Sequence, residues 1–473
     1  MAESESNIEI EEETLEDEVG NPVYDDDDVV RPQFVAQLRH LINSGQAEKL
    51  ADWIEPLHES ELGDVLEALS KEERSELVNL TGKRFDLASL TEVDEAVRLQ
   101  VVNEMPNERI ADAVQELDSD DAVFILEDME EEDQADILAK IPFEERARLK
   151  RSLDYPEETA GRRMQTEFIA VPPFWSVGQT IDFMREDDDL PDRFHEIFVV
   201  EPSYKLGGYV ALDRLLRTKR SVSIDEIKEK NIYPIDANVD QEEAARIFEQ
   251  YDLLSAAVVD DADRLVGVLT IDDMVDVIHQ EADEDIKRLA GVGDEELSDS
   301  VIETTKSRFT WLFLNLVTAI LASVVIGLYD ATIEQMVALA VLMPIVASMG
   351  GNAGTQSMTV AVRALAMKDI DSYNMFRTIR REFMVGLLNG IFFAILIGVI
   401  AAWWFSNFNL GMIIGIAMII NLICAALSGI LIPIALDRMD IDPAIASSVF
   451  VTTVTDVVGF FAFLGLAAWW FGI

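Results

Sequence analysis

The sequence contains very little cysteine, histidine or basic charge. One cysteine, Cys424, and four histidines occur among 473 residues, so neither a disulfide framework nor a zinc centre of thiolates or imidazoles is expected. Lysine and arginine number 37 against 89 aspartates and glutamates, giving a formal net charge of -52. Because nucleic-acid-binding surfaces are basic, this balance excludes nucleic acid as an expected partner. It favours divalent cations or a high-salt environment.

Two common sequence signals are also missing. The acidic segment 1–30 lacks the basic start and apolar core of a cleavable signal peptide. Its composition cannot bury enough apolar surface to fold, so a disordered acidic tail is predicted there. The chain has no G-x-x-x-x-G-K-[ST] sequence, so no ATP-hydrolysing phosphate loop is expected.

Apolar and acidic residues are segregated along the chain. The sequence up to about residue 300 is acidic, whereas residues 306–473 are nearly all apolar with short charged turns. Runs of this length can cross the hydrocarbon core of a bilayer. The sequence therefore predicts a membrane protein with five spans, at 309–329, 332–349, 383–405, 411–436 and 444–472.

Residues 31–153 carry apolar positions at three- and four-residue spacing in short bursts, such as LADWIEPL and DAVFILEDM. This pattern predicts a superhelical stack of short helices. Acids are dense in its loops, notably Asp118, Asp120 and Asp121. They are either a solvated face or ligands for hard cations such as Mg²⁺.

Residues 154–279 form an internal repeat in which Val200 aligns with Val259 and Leu206 with Leu265. We expect a single register of 59 residues across the segment, each copy being a helix, a β-hairpin and a helix. This resembles a tandem pair of CBS domains. In the second copy Gly267, Thr270 and Asp273 match the family's ribose-binding pattern, which implies an adenosine-nucleotide (ATP) site. The alternative is a structural turn in which an aspartate caps the helix.

A connecting helix is predicted over 280–305, continuing from the second CBS copy. Acids of this helix and of the segment leading into it fall on adjacent faces, where like charges three and four apart repel. The helix is either an ion sensor or a solvated connector. The acids concerned are Asp273, Asp276, Glu281, Glu284 and Asp285.

The last apolar run, from Pro443 to Ile473, has one ionisable side chain, Asp456. An aspartate at bilayer depth costs about 2.5 to 3.5 kcal/mol and is expected to face water, a cation or a partner helix. Neighbouring threonines add hydroxyls at the same level. The residue is therefore either a cation site or a buried helix-packing aspartate.

The loop charges predict the orientation. Lys306 and Arg308 precede the first span, and five basic residues lie between the second and third. The positive-inside rule places these loops and the acidic domains in the cytoplasm, with the C-terminus outside. Gly350, Gly351 and Gly354 follow the end of the second predicted span, where irregular backbone facing protein or a cavity is expected.

The motifs MPxxxxMGGNxGxQSxxxxxRALA, NLICAALSGILIP and TTVTDVVGFF resemble the MgtE family of magnesium transporters. The resemblance covers nearly the whole chain after the tail. It implies a multi-domain fold: a helical superhelical N-terminal domain, an α/β tandem CBS pair, a connecting plug helix and a five-helix transmembrane domain. It assigns Asp456 to the pore, Asp442 to the cytoplasmic mouth, Gly350, Gly351 and Asn352 to a GGN turn, and the acids of the connecting helix to gating. Asp120 and Asp121 are placed only loosely.

The resemblance also implies a homodimer in the cell (inner) membrane, with its pore between the last and second spans. The expected activity is Mg²⁺ uptake driven by the membrane potential and closed by cytosolic Mg²⁺, in a protein that is not an enzyme. Three alternatives stay open: a transporter of Co²⁺, Ni²⁺ or Ca²⁺, a membrane-tethered CBS nucleotide sensor without transport, and an aspartyl protease that pairs two copies of Asp456.

Overall fold

The computed structural model describes residues 23–25, 27, 29–187, 190, 191, 193–292, 301–368, 370, 373–439 and 441–472. Most of the predicted acidic tail lies outside these residues. The chain divides into two compact units, Met1–Val277 and Ile278–Ile473, which are described separately.

In the first unit, the described residues from 32 to 153 form nine short helices around one continuous apolar core. Leu38, Leu66 and Ile110 are among its fully buried side chains. Capping boxes begin the third and fourth helices; in the fourth, Ser70 and Glu73 satisfy each other's backbone amides. The predicted stack of short helices is confirmed. The helices are α1 Pro32–Asn43, α2 Ala47–Ile54, α3 Glu59–Glu67, α4 Lys71–Thr81, α5 Glu95–Glu104, α6 Asn107–Val114, α7 Ser119–Glu127, α8 Glu131–Lys140 and α9 Phe143–Leu153, with 3-10 turns at Gly82–Arg84 and Leu87–Leu90.

Two similar α/β copies follow, each with a three-stranded sheet. In each sheet the first strand is parallel to the second, and the second and third form an antiparallel hairpin. The predicted CBS pair is confirmed. The first copy contains α10 Ala160–Arg163, β1 Ala170–Val171, α11 Val177–Glu186, β2 Glu196–Val200, β3 Leu206–Ala211, α12 Leu212–Arg217 and α13 Ile224–Ile227. The second contains β4 Ile235–Asp236, α14 Gln241–Tyr251, β5 Ser255–Val259, β6 Leu265–Thr270 and α15 Ile271–Leu289.

The 59-residue register holds for the hairpins but not for the whole repeat. Val199 pairs with Gly208 in the first hairpin and Val258 with Gly267 in the second, and both hairpins have a bulge at that point. The leading helices α11 and α14 begin further apart than 59 residues. The expectation of a single register is wrong because a longer loop joins α11 to β2 than joins α14 to β5.

Among its described residues, the second unit contains five helices that are long and apolar enough to cross a membrane, as predicted. α20 is the central one: it is mostly buried and packs against its three neighbours, whereas α16 is almost wholly exposed. A helix that is apolar on all sides suits this central position. The helices are α16 Val301–Gly327, the short α17 Asp330–Gln335, α18 Ala338–Ala366, α19 Met375–Trp404, α20 Phe408–Asp437 and α21 Pro443–Phe471.

The expected end of the second span at residue 349 is wrong. α18 continues through Gly350, Gly351 and Gly354 to Ala366, so the backbone there is helical and not an irregular turn. Two of these glycines lie against neighbouring helices, where they allow close packing. Packing between helices thus overrides the low helix propensity of glycine.

Candidate functional site

Asp456 lies in the middle of α21 and is half-buried in the single protomer. The hydroxyls of Thr452 and Thr455 donate hydrogen bonds to backbone carbonyls of Ser448 and Thr452, at 2.9 Å each. Because the hydroxyl protons point back along the helix, the oxygen lone pairs stay available as acceptors. A carboxylate and hydroxyl oxygens at one level match the hard ligands that a hydrated Mg²⁺ prefers.

The helix that carries the GGN sequence packs directly against the Asp456 helix. A Cβ atom on Gly354 would lie 2.5 Å from Val451 Cγ1 and 3.5 Å from Thr455 Cγ2. The glycine therefore lets α18 approach the face of α21 next to Asp456. Asn352 is exposed on α18, and its amide donates to the Ser348 carbonyl at 2.9 Å.

Asp442 is the N-cap of α21 and also part of an ion-pair chain. It accepts a hydrogen bond from the Ala444 amide at 2.7 Å. Its other oxygen lies 2.6 Å from Arg288 Nη1, and the same guanidinium pairs with Glu284. Two predicted metal-binding acids thus share one protein cation. Burial raises the pKa of Asp285, and the neighbouring charge of Asp442 raises it further.

Three of the predicted acids meet in the first unit. A side-chain hydrogen bond joins Asp120 to Asp273. Burial raises the pKa of Asp120 well above its usual range, with further increases from Asp273 and Asp121. Burial, followed by the charge of Asp273, raises the pKa of Asp121 to about 7. Burial raises the pKa of Asp273 to about 6.

These raised pKa values have a direct chemical meaning. The carboxylates at the start of α7 and α15 are held close together at an electrostatic cost, which protons or a divalent cation would relieve. We call Asp120, Asp121 and Asp273 the carboxylate cluster. Its oxygen donors fit Mg²⁺. Among the residues described, no group of three or more His, Cys, Asp or Glu has the geometry of a complete metal site.

The remaining acids of the predicted gating set lie on α15. Asp276 is exposed and adds to the negative potential that raises the pKa of Asp273. Glu281, which lies between Asp276 and Glu284 in sequence, is half-buried. Of the predicted gating acids, Asp273 lies in the carboxylate cluster and Glu284 in the Arg288 ion pairs, whereas the others lie along α15 outside both. All of these metal-binding roles stay predictions.

The predicted nucleotide residues form a compact turn. Thr270 donates a hydrogen bond to Asp273 at 2.5 Å, and a Cβ on Gly267 would lie 2.5 Å from Met164 Sδ. Because Asp273 also bonds to Asp120, it is engaged by two neighbours at once. The ribose-binding role and the structural-turn alternative both remain consistent with this geometry.

A separate cavity of about 250 Å³ lies between the two CBS copies. Tyr233 and Tyr251 are stacked in its lining with ring centroids 3.7 Å apart. Glu196 also lines it, and burial raises the pKa of that carboxyl to about 7. Sequence reasoning missed this cavity because its lining comes from distant segments of both copies.

Two buried polar side chains in the second unit were also missed. Glu382 on α19 is 8% exposed and accepts a hydrogen bond from Ser357 on α18 at 2.9 Å. Asn421 on α20 is fully buried. Glu382 follows Arg380 and Arg381 in sequence, which made it look like part of a charged loop. Asn421 was quoted only as part of a family motif.

Comparison with known families finds three matching models. The MgtE model, described as a divalent cation transporter, matches residues 343–466. The model of the MgtE intracellular N domain matches residues 57–158. The CBS domain model matches residues 224–280. Together they follow the order of the helical stack, the second CBS copy and the membrane helices.

Among curated proteins, the chain is similar to two full-length relatives. The magnesium transporter MgtE of Enterococcus faecalis is 36% identical over 438 residues, which are 92% of this chain and 96% of the relative. The magnesium transporter MgtE of Bacillus subtilis is 28% identical over 440 residues, 93% and 95% of the two chains. A solved cytosolic domain of the Mg²⁺ channel MgtE in complex with ATP is 26% identical and covers 51% of this chain and 99% of that one, with a TM-score of 0.48.

Proposed function

The chain belongs to the MgtE family of magnesium transporters, and we propose that it conducts Mg²⁺ through the membrane along a path past Asp456. The observation that carries this proposal is the half-buried Asp456 carboxylate at mid-helix, beside threonine hydroxyls, in a unit of five apolar helices. Since Mg²⁺ dehydrates reluctantly, the ion would pass Asp456 largely hydrated, through outer-shell contacts.

We propose that the active form is a homodimer. Phe450 and Phe461, which flank Asp456 in sequence, are 47% and 57% exposed in the single protomer. Exposed apolar side chains on the helix that carries Asp456 suit a symmetric partner, because a two-fold axis beside this helix would bring two Asp456 side chains to one point. Two carboxylates would balance the charge of one Mg²⁺.

The driving force in this proposal is the membrane potential. An inside-negative potential favours entry of a divalent cation by about 4.6 kcal/mol per 100 mV, twice the value for a unit charge. The proposed orientation has the first unit in the cytoplasm and the C-terminus outside. Basic residues at the cytoplasmic helix ends support it: Arg363, Arg377, Arg380, Arg381 and Arg438.

We further propose that cytosolic Mg²⁺ closes the path. At low Mg²⁺ the carboxylate cluster and the acids of α15 repel one another, and at high Mg²⁺ the ion bridges them. Differential binding of Mg²⁺ to the two states would shift their populations. The raised pKa values of Asp121 and Asp273 support this, because their causes, burial and neighbouring carboxylates, are ones that a bridging cation would offset.

Adenosine nucleotide is a second proposed ligand, at the CBS pair. The Thr270–Asp273 pair would hold ribose hydroxyls, although Asp273 would have to give up its bond to Asp120. ATP binding and Mg²⁺ binding would then compete for Asp273. An Asp273→Asn change that weakened ATP binding as well as Mg²⁺ inhibition would support the shared role, and unchanged ATP binding would refute it.

Mg²⁺ uptake into proteoliposomes under an imposed potential tests the transport proposal. We expect uptake by the natural chain, and a loss of at least about tenfold in Asp456→Asn, equal to about 1.4 kcal/mol of barrier. Asp437→Asn is the matched control, because it removes an exposed acid from the same unit. Equal uptake by Asp456→Asn and the control would refute the role of Asp456.

Ion selectivity is tested in the same vesicles. We expect uptake of Mg²⁺ to exceed that of Co²⁺, Ni²⁺ and Ca²⁺, because carboxylate and hydroxyl oxygens are hard ligands. Preferential uptake of another divalent cation would favour the broader transporter. Tight nucleotide binding without flux of any ion would favour the membrane-tethered sensor.

A further inference from the structure

We propose that Asn421 is a positioning residue for Asp456, and that Gly350 and Gly459 are glycines because the Asn421 amide occupies the space of their missing side chains. This inference rests on the proposed passage of Mg²⁺ past Asp456. It assigns a role to a buried amide at the point where three membrane helices meet.

The amide of Asn421 ties α20 to α18. Its Nδ2 donates a hydrogen bond to the carbonyl of Val346 at 2.8 Å, and the side chain is fully buried. The opposite orientation of the amide would place its oxygen against the carbonyl oxygen, so the hydrogen bond fixes which end faces Val346. The side chain therefore has one defined position.

Two glycines on different helices lie against this amide. A Cβ on Gly350 of α18 would lie 2.3 Å from Nδ2, and a Cβ on Gly459 of α21 would lie 2.9 Å from the same atom. Both glycines are inside regular helices, so their backbone conformation does not require glycine. The space taken by Asn421 requires it instead.

Asn421 is not the residue that stability alone would select. Its Oδ1 is buried without a hydrogen-bond partner among the described residues. A buried acceptor in this condition costs about 1 to 3 kcal/mol, which leucine of similar size would avoid. The amide is thus retained at a cost, as expected for a group whose placement serves function.

The contact with Gly459 connects Asn421 to Asp456. Gly459 and Asp456 are three positions apart in α21, so they lie about one turn from each other on the same side of the helix. Gly354 fixes the next turn of α21 through Val451 and Thr455. Asn421 and Gly354 together determine the height and rotation of the turn that carries Asp456, and a binding constellation needs its groups within about 0.5 Å.

The test uses the full chain in proteoliposomes and a cycle of Gly459→Ala, Asn421→Ala and the double variant. We expect Gly459→Ala to lower Mg²⁺ uptake at least about tenfold. The double variant should recover much of this loss, because alanine at 421 removes the atoms that the new methyl group would meet. Such a recovery is a coupling between two residues in contact.

A readout beyond flux separates positioning from structural support. Asn421→Ala alone should change the ratio of Mg²⁺ to Ca²⁺ uptake by about fivefold or more while the protein remains folded, since an ill-placed Asp456 discriminates less well. Gly327→Ala is the control, because nothing lies within 4 Å of the added Cβ. Circular dichroism and size-exclusion chromatography check the fold.

Three results would overturn the inference: Gly459→Ala with normal uptake, a double variant no better than Gly459→Ala, or an unchanged Mg²⁺ to Ca²⁺ ratio in Asn421→Ala. If Gly459→Ala does not fold, the ratio in Asn421→Ala decides alone. A natural chain without Mg²⁺ uptake would refute the proposed function itself. If Mg²⁺ uptake is lost in Asp456→Asn but is normal in Gly459→Ala, Asn421→Ala and the double variant, only this inference is refuted.

Discussion

At low pH, protons should replace Mg²⁺ in stabilising the carboxylate cluster. The pKa of Asp121 is raised from 3.8 to about 7 in the folded chain, chiefly by burial. The folded state therefore binds this proton more tightly than the unfolded state between about pH 4 and pH 7. Stability from this group is fully present below about pH 4 and is lost as the pH rises through about 7. Above that, Mg²⁺ must compensate.

The size of the effect follows from the same shift. A rise of about three pKa units corresponds to about 4 kcal/mol, since each unit is worth 1.36 kcal/mol. This is a ceiling, because Asp120 and Asp273 share the protons with Asp121. We expect about 1 to 2 kcal/mol for Asp121 alone, or roughly 2 to 8 °C in the unfolding temperature of a unit this large.

Thermal unfolding of the full chain in detergent measures this. At about pH 7.5, saturating Mg²⁺ should raise the unfolding temperature of the first unit, whereas at about pH 5.5 it should have much less effect. Asp121→Asn should raise stability without Mg²⁺ at the higher pH and reduce the Mg²⁺ effect. Glu131→Gln is the control, since it removes an exposed acid in the first turn of α8.

Two outcomes would refute this reasoning. The Mg²⁺ effect could be as large at the lower pH as at the higher one, which would mean that the bound protons do not compete with the ion. Alternatively, Asp121→Asn and Glu131→Gln could behave alike, which would mean that Mg²⁺ acts on the general surface charge and not on the cluster.

Two further predictions concern the second unit. Arg288→Gln removes the guanidinium shared by Glu284 and Asp442, so these acids should bind Mg²⁺ about threefold to tenfold more tightly, and a lower cytosolic Mg²⁺ concentration should halve the uptake. In the control Arg288→Lys, which keeps the positive charge, the concentration that halves uptake should stay near that of the natural chain. An unchanged concentration in Arg288→Gln would contradict this prediction. Glu382→Gln keeps an acceptor for the Ser357 hydroxyl, so its unfolding temperature should equal that of the natural chain. Glu382→Leu leaves that hydroxyl without an acceptor and should lower the free energy of unfolding by about 1 to 3 kcal/mol. Equal stability of the two variants in thermal unfolding would show that this hydrogen bond contributes nothing.

Much of the architecture could be predicted from the sequence because its signals are local. Apolar runs long enough to span a bilayer predicted five spans, and the alternating hairpin segments predicted the CBS sheets with their register. The start of α14 relative to α11 could not be predicted in this way, because the inserted residues between α11 and β2 carry no hydrophobic pattern.

The candidate site was harder to predict from the sequence because its contacts join residues that are distant in the chain. Arg288 and Asp442 are 154 positions apart, and no local pattern indicates that they pair. Gly350 looked like part of a turn because glycine is a weak helix former, but its space is filled by Asn421 from another helix. In both cases the contact is determined by a residue on another helix, and a single sequence does not indicate which residue that is.

The reversal potential of the current through reconstituted protein tests the central claim most directly. With a tenfold Mg²⁺ gradient and symmetric monovalent salt, a Mg²⁺-selective path should reverse at about 30 mV, the value for two charges per ion. The current should disappear in Asp456→Asn and persist in Asp437→Asn. A reversal near zero under the same gradient, or an unchanged current in Asp456→Asn, would contradict the account.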